Sequence, residues 1–323
     1  MVPVEEGPLR PRGPVLPRLG LGQNPTQLMD TAPVSLATAA EIEEAEARSW
    51  ADLYAAAPAD FAREAGLTTR KVGGTLAFSW AATGRRYFSR AIGLGVVEPA
   101  TEEQLDQILA GWREARITMF LLQSLPHCGP AAYEDWLRER GLEPFDAQDR
   151  IVRDGSPLVE SAALVGRELL VELVDSESAD EWAEFLQRVY RLETGRWLQA
   201  LIGRPGWFEY VARADGEIVA ARGMHIGPDG TAWLGMDGPV PGVMSDDYEP
   251  DAALCARIVV DGLIAGARRF IADIEAPSEA MDTPAYEHFG RLGFTRPYAR
   301  THWAPVDEKS QTRHVSPLTI RSA

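Results

Sequence analysis

Apolar residues recur at helical spacing through Ile42, Ala45, Trp50, Leu53 and Tyr54, which predicts an amphipathic helix over 41–56. Two strand-like runs follow at 74–81 and 86–94, the first closed by Thr83-Gly84. Thr101-Glu102-Glu103-Gln104 has the form of a capping box and opens a helix to about 115. The unbroken apolar run at 118–124 reads as a buried strand, 130–140 as a helix stopped by Gly141, and 150–153 as a short strand.

The pattern then restarts. A strand at 168–174 and helices at 179–190 and 197–202 lead into three strands, 207–213, 217–226 and 231–236. Asp215-Gly216 and Pro228-Asp229-Gly230 are hairpin turns between them. A helix over 251–265, a buried strand over 269–275, a helix over 283–292 and a strand over 294–303 complete an α/β order with a mixed, mostly antiparallel sheet.

The stretch 154–167, with Gly155, Ser156 and Pro157, interrupts the periodicity and is expected to be a linker between a domain at 41–153 and one at 168–306. Residues 1–40 carry no period of 3.6 or 2.0 over most of their length and are expected to form a flexible arm, with 307–323 as a tail. A weak internal repeat fits two related domains. Ala115-Arg116, the run 118–125, Pro126, Ala132-Tyr133-Glu134 and Arg140-Gly141-Leu142 are echoed by Ala267-Arg268, the run 270–274, Pro277, Ala285-Tyr286-Glu287 and Leu292-Gly293-Phe294.

Charge narrows the partners. With 32 Lys plus Arg against 48 Asp plus Glu, the 323-residue chain carries a net charge of -16. It has no basic cluster for phosphates, so nucleic acid and anionic membrane surfaces are not expected partners. No apolar run reaches spanning length, and residues 1–20 lack a signal-peptide core, so a cytoplasmic protein is expected. Cys128 and Cys255 are too few for a disulfide framework and lack metal-ligand spacing, so no metal is expected.

Thr283-Pro284-Ala285-Tyr286 followed by Arg291-Leu292-Gly293-Phe294, after a meander, a helix and a strand ending Asp273-Ile274-Glu275, resembles the GNAT superfamily of N-acetyltransferases over 168–304. Gly93-Leu94-Gly95 and Pro99-Ala100-Thr101-Glu102-Glu103 look like a degenerate N-terminal copy, so the chain resembles a tandem form. The resemblance implies transfer of an acyl group from acetyl-CoA, or another acyl-CoA as co-substrate, to a small-molecule amine. It also implies that the strands at 231–236 and 269–275 splay to admit the pantetheine arm, with Met236, Val243, Met244 and Ser245 beside the cofactor. The family's pyrophosphate loop has Arg or Gln, two residues, Gly, one residue, then Gly or Ala. This chain instead reads Pro241-Gly242-Val243-Met244-Ser245-Asp246-Asp247-Tyr248-Glu249-Pro250-Asp251, with no Arg and four carboxylates. Two readings stay open: an acyltransferase that grips its donor differently, or a binding module on a GNAT fold that has lost the donor.

Attack of an amine on a thioester needs a base, an acid for the leaving thiolate and dipoles for the oxyanion. Glu275, closing the buried strand, is the candidate base against a solvated strand-end carboxylate. Tyr286 is the candidate acid against a packed tyrosine; the family's usual acid position carries Phe289. Asp246, Asp247 and Tyr248, with Glu249, fit a cationic acceptor, and His225 is a further substrate candidate against a structural histidine. His288 has no evident partner, Cys255 reads as a core thiol, and Trp197, Trp207 and Trp233 read as core more readily than as a pocket lining.

Overall fold

The computed structural model describes residues 29–126, 128–158, 169–240, 244–245, 247–275 and 284–306. Helix α1 spans Leu36–Ala55 and starts ahead of the apolar pattern because Ser35 caps it, its Oγ accepting the Thr38 N–H at 3.1 Å. A short helix not foreseen, α2 (Ala59–Ala65), ends at Gly66 with φ 64°. It feeds a hairpin of β1 (Leu67–Val72) and β2 (Thr75–Trp80), of which β1 is exposed along most of its length and carried no alternation to reveal it. The strand expected at 86–94 is a helical turn at Arg86–Phe88 followed by β3 (Arg90–Ile92).

Then come α3 (Glu102–Glu114), β4 (Leu121–Ser124), α4 (Tyr133–Glu139), β5 (Leu142–Asp154), β6 (Leu170–Leu173) and α5 (Ala179–Tyr190). The meander is β7 (Trp207–Ala214), β8 (Glu217–Ile226) and β9 (Thr231–Gly238), followed by α6 (Glu249–Ile264), β10 (Arg269–Glu275), α7 (Pro284–Arg291) and β11 (Thr295–Pro305). The helix expected over 197–202 is a single 3-10 segment, Leu198–Leu201.

Two separate sheets, one per domain, are not what forms. One eleven-stranded sheet runs in the order β1-β2-β3-β4-β11-β5-β10-β9-β8-β7-β6. The joint is made by β5, thirteen residues long rather than four, which pairs with β10 on one side and β11 on the other. β11 in turn pairs with β4, so the last described strand sits among strands of the chain's first half. Charged residues such as Asp146 and Asp149 hid the length of β5, since each is paired inside the fold rather than solvated. Among the described strands only β3 with β4 and β9 with β10 are parallel, and α3 and α6 are the crossovers that parallel pairing demands.

On one face, α1, α5 and the 3-10 segment bury Trp50, Phe78, Trp80, Trp182, Trp197, Trp207 and Trp233 in a single core. On the other, α6 and α7 cover Tyr210, Met224, Phe270 and Phe289, while α3 and α4 cover Ala91, Leu122 and Trp303. The three tryptophans weighed as a pocket lining are therefore core residues.

Candidate active site

The parallel pairing of β9 with β10 covers Thr231, Ala232 and Trp233 opposite Arg269, Phe270 and Ile271, and goes no further. Beyond it β10 continues against β5, while β9 continues against β8 with a bulge, the register running from Gly223↔Gly235 to Ala221↔Gly238. Met236, inside the bulge, has φ 54°, a left-handed value that costs a non-glycine residue free energy. A bulge adds local twist and turns a strand from its neighbour, and β9 stops pairing with β10 at the place where the sequence put the donor cleft. Tyr190 of α5 donates to the Asp237 carbonyl, and Arg222 Nη2 to the Asp237 carboxylate at 3.1 Å, which fixes the bulged segment from both faces.

Above the gap stands the N-terminus of α6, where a phosphate would be expected to meet free N–H groups. The N-cap residue Tyr248 makes no side-chain capping bond, but the N–H groups at this start are partly taken by neighbouring side chains. Asp247 Oδ1 accepts the Glu249 N–H at 3.2 Å, Ser245 Oγ accepts the Asp247 N–H at 3.1 Å, and Pro250 has no N–H. The start of α3 is closed in its own way: Thr101 Oγ1 accepts the Gln104 N–H at 3.2 Å and Gln104 Oε1 accepts the Thr101 N–H at 3.0 Å.

The sequence candidates separate. The Glu275 backbone pairs with Gln148 at the end of β10, beside the gap; its side chain, with Val243 and Asp246, lies outside the described residues. Met236 is half-buried, Met244 exposed and Ser245 half-buried. Tyr248 is the N-cap residue of α6 and packs against the core beneath that helix. Tyr286 is buried, and its hydroxyl donates to Asp149 at 2.5 Å; Arg296 donates to the same carboxylate at 2.9 Å. Burial, then the bond to Asp149, pushes this phenol well above its ordinary range. His225 stands apart from the α6 loop: it is buried, stacks on Trp207 with ring centroids 4.6 Å apart, and its Nδ1 lies 2.9 Å from Ser49 Oγ of α1. Burial pushes its pKa down, as befits a neutral structural imidazole.

Sequence reasoning missed a buried ionic centre beside the gap. Arg150 of β5 and Arg300 of β11, both fully buried, each bind Glu43 and Glu46 of α1, at 3.2 and 3.1 Å to Glu43 and more closely to Glu46. Both also bind Asp273 of β10, two residues before Glu275. Arg90 adds a contact to Glu46 at 3.5 Å, and Tyr298 donates to Glu43 at 2.8 Å. Burial opposes ionisation of Glu46, but Arg300, Arg150 and Arg90 outweigh it and hold the carboxyl far below the carboxylate range. Asp273 goes the other way, burial raising its pKa, and its side chain keeps 18% exposure. The available signal was Glu43 and Glu46 on the apolar stripe of α1.

A second buried group joins α6, α7 and β8. Arg222 Nε donates to Asp251 Oδ1 at 2.8 Å, while Asp251 Oδ2 faces Cys255 Sγ at 3.8 Å and His288 Nε2 at 3.4 Å. Burial opposes the charge on Asp251, but Arg222 and His288 hold its pKa down to about 2.

No family model and no curated protein matches the sequence. Among solved structures, the chain is similar to a GCN5-related N-acetyltransferase from Kribbella flavida, with 15% identity over 85% of this chain and 98% of that one and a TM-score of 0.56. Weaker likenesses are a GCN5-related N-acetyltransferase from Sphaerobacter thermophilus, 15% identical over 72% of this chain and 82% of that one, TM-score 0.47, and a tandem GNAT protein from the clavulanic acid biosynthesis pathway, 14% identical over 83% and 98%, TM-score 0.46. No described helix is long and apolar enough to cross a membrane.

Proposed function

We propose that this chain, whose fold is that of the GNAT acetyltransferases, is an N-acyltransferase that moves an acyl group from a thioester to a small, cationic amine in the gap between β9 and β10. The observation that carries the reading is the bulge at Met236, beyond which β9 no longer pairs with β10 and the ends of the two strands are left for a ligand. We also propose that the two halves are diverged tandem copies, supported by the matching parallel pairs β3–β4 and β9–β10 and their crossover helices.

In this reading the amine nitrogen attacks the thioester carbonyl carbon, the C–N bond forms and the C–S bond breaks. Glu275, directly or through water, takes the ammonium proton, and the thiolate leaves with a proton from Tyr286, whose hydroxyl must let go of Asp149 to give it. The acidic start of α6 draws the cationic acceptor toward the gap.

Because Asp247 takes the Glu249 N–H at the start of α6 and Pro250 has no N–H, the donor's grip falls on the pantetheine arm rather than on a pyrophosphate. Calorimetry with acetyl-CoA and with acetyl-pantetheine tests this: affinities within about tenfold, or 1.4 kcal/mol, are expected. A much tighter acetyl-CoA would restore the ordinary donor site. The same arrangement favours the second reading, a binding module without a donor, for which neither thioester would bind.

A further inference from the structure

Cys255 and Asp251 lie four residues apart on α6 and so share one face of it, and His288 of α7 is turned toward them. All three are buried, with exposures of 4% for Asp251, 0% for Cys255 and 4% for His288. One atom from each lies within 4.8 Å of the other two. We propose that Asp251, Cys255 and His288 form a binding site for a divalent transition metal of the zinc class.

The first support is the state of His288. Neither ring nitrogen has a hydrogen-bond partner among the described residues, although the side chain is buried. A buried imidazole normally satisfies at least one nitrogen. Its Nε2 stands 3.4 Å from Asp251 Oδ2 without hydrogen-bond geometry, which is the disposition of two ligands waiting on a common partner.

Distances agree. Zinc bonds of about 2.0 Å to nitrogen and oxygen and about 2.3 Å to sulfur, at tetrahedral angles, put ligand atoms about 3.3 to 3.8 Å from one another. The separations to Asp251 Oδ2 are 3.4 Å from His288 and 3.8 Å from Cys255.

Charge agrees as well. The charged side chains at the cluster are Arg222, which binds both Asp251 and Asp237, and those two carboxylates. With Cys255 as a neutral thiol they sum to one negative charge. A divalent ion that displaces the Cys255 proton brings the sum to zero, and Asp251 Oδ1 stays with Arg222 while Oδ2 turns to the metal. Binding thus releases one proton from sulfur and forms metal bonds to sulfur, nitrogen and oxygen. Three protein ligands leave a fourth position for water. The ion would tie the first half of α6 to α7, the two helices that flank the proposed donor gap.

Titration of chelator-treated protein with Co2+, followed by absorbance, tests the site because thiolate-to-cobalt charge transfer reports sulfur ligation directly. The expected result is one equivalent bound with a near-ultraviolet thiolate band, displaced by Zn2+. Cys255→Ser should abolish the band, His288→Gln should weaken binding by more than the about tenfold that loss of a supporting group causes, and Cys128→Ser should change neither. Circular dichroism of each variant establishes that it folds. No stoichiometric uptake by the unmodified protein, or uptake whose band survives Cys255→Ser, would overturn the proposal.

Discussion

Arg150 and Arg300 stand on adjacent antiparallel strands, both with no exposed surface, and share the carboxylates of Glu43 and Glu46. Bringing like charges together in the interior is tolerable only because α1 delivers two glutamates and β10 an aspartate to them. β5 and β11 are the strands that interleave the two halves of the chain, so this lattice locks the sheet at its joint.

Removing one partner leaves a buried charge uncompensated. Glu46→Gln is expected to destabilise the protein by about 3–5 kcal/mol, read from the midpoint of urea unfolding, whereas Glu41→Gln, on an exposed pair with Arg269, should cost no more than about 1 kcal/mol.

Glu209 makes the opposite case. It is 1% exposed, neither carboxylate oxygen has a hydrogen-bond partner among the described residues, and burial raises its pKa far above the carboxylate range. The folded protein keeps a proton there that the unfolded chain releases above its own pKa near 4.5. Stability is therefore lower at neutral pH and recovers as the pH falls. Glu209→Leu should stabilise the protein at neutral pH by about 1–3 kcal/mol, and Glu209→Gln should remove the gain in stability seen between about pH 7 and pH 5.

Acid should undo Asp251 and Glu46, whose pKa values are depressed. Their stabilisation is complete above the ordinary values of 3.8 and 4.5 and is lost as pH falls through the folded values, about 2 for Asp251. Unfolding midpoints should fall steeply below about pH 4, and Asp251→Asn should flatten that part of the curve.

Met236 tests the bulge. Its φ of 54° is easy for glycine and hard for a β-branched residue. Met236→Ile should cost about 1–3 kcal/mol and weaken donor binding, while Met236→Gly should hold the conformation at little cost in thermal unfolding. Equal behaviour of the two variants would mean that the bulge does not shape the gap.

Most elements were legible from period and punctuation: the capping box of α3, the Asp215-Gly216 turn and the apolar run of β10 all form as patterned. What hid was structure whose polar groups are paired internally. β5 looked like a short strand because Asp146 and Asp149 resemble a solvated segment until His302 and Tyr286 supply their partners. The candidate site divided along the same line. The departure of the α6 loop from a phosphate cradle could be read residue by residue, and the bond from the Glu249 N–H to Asp247 agrees with it. His225 could not be placed, because the serine that holds it is 176 residues away on α1.

The central claim is acyl transfer at the gap between β9 and β10, and the direct measurement is mass spectrometry of a polyamine incubated with the protein and acetyl-CoA or acetyl-pantetheine. The account predicts a monoacylated product above the buffer control, reduced by about 100-fold or more in Glu275→Gln with the fold intact. Product formation unchanged by Glu275→Gln would remove that residue from the mechanism. No product from either thioester, with a folded protein and a range of amines, would contradict the account and leave a binding module on an acetyltransferase fold.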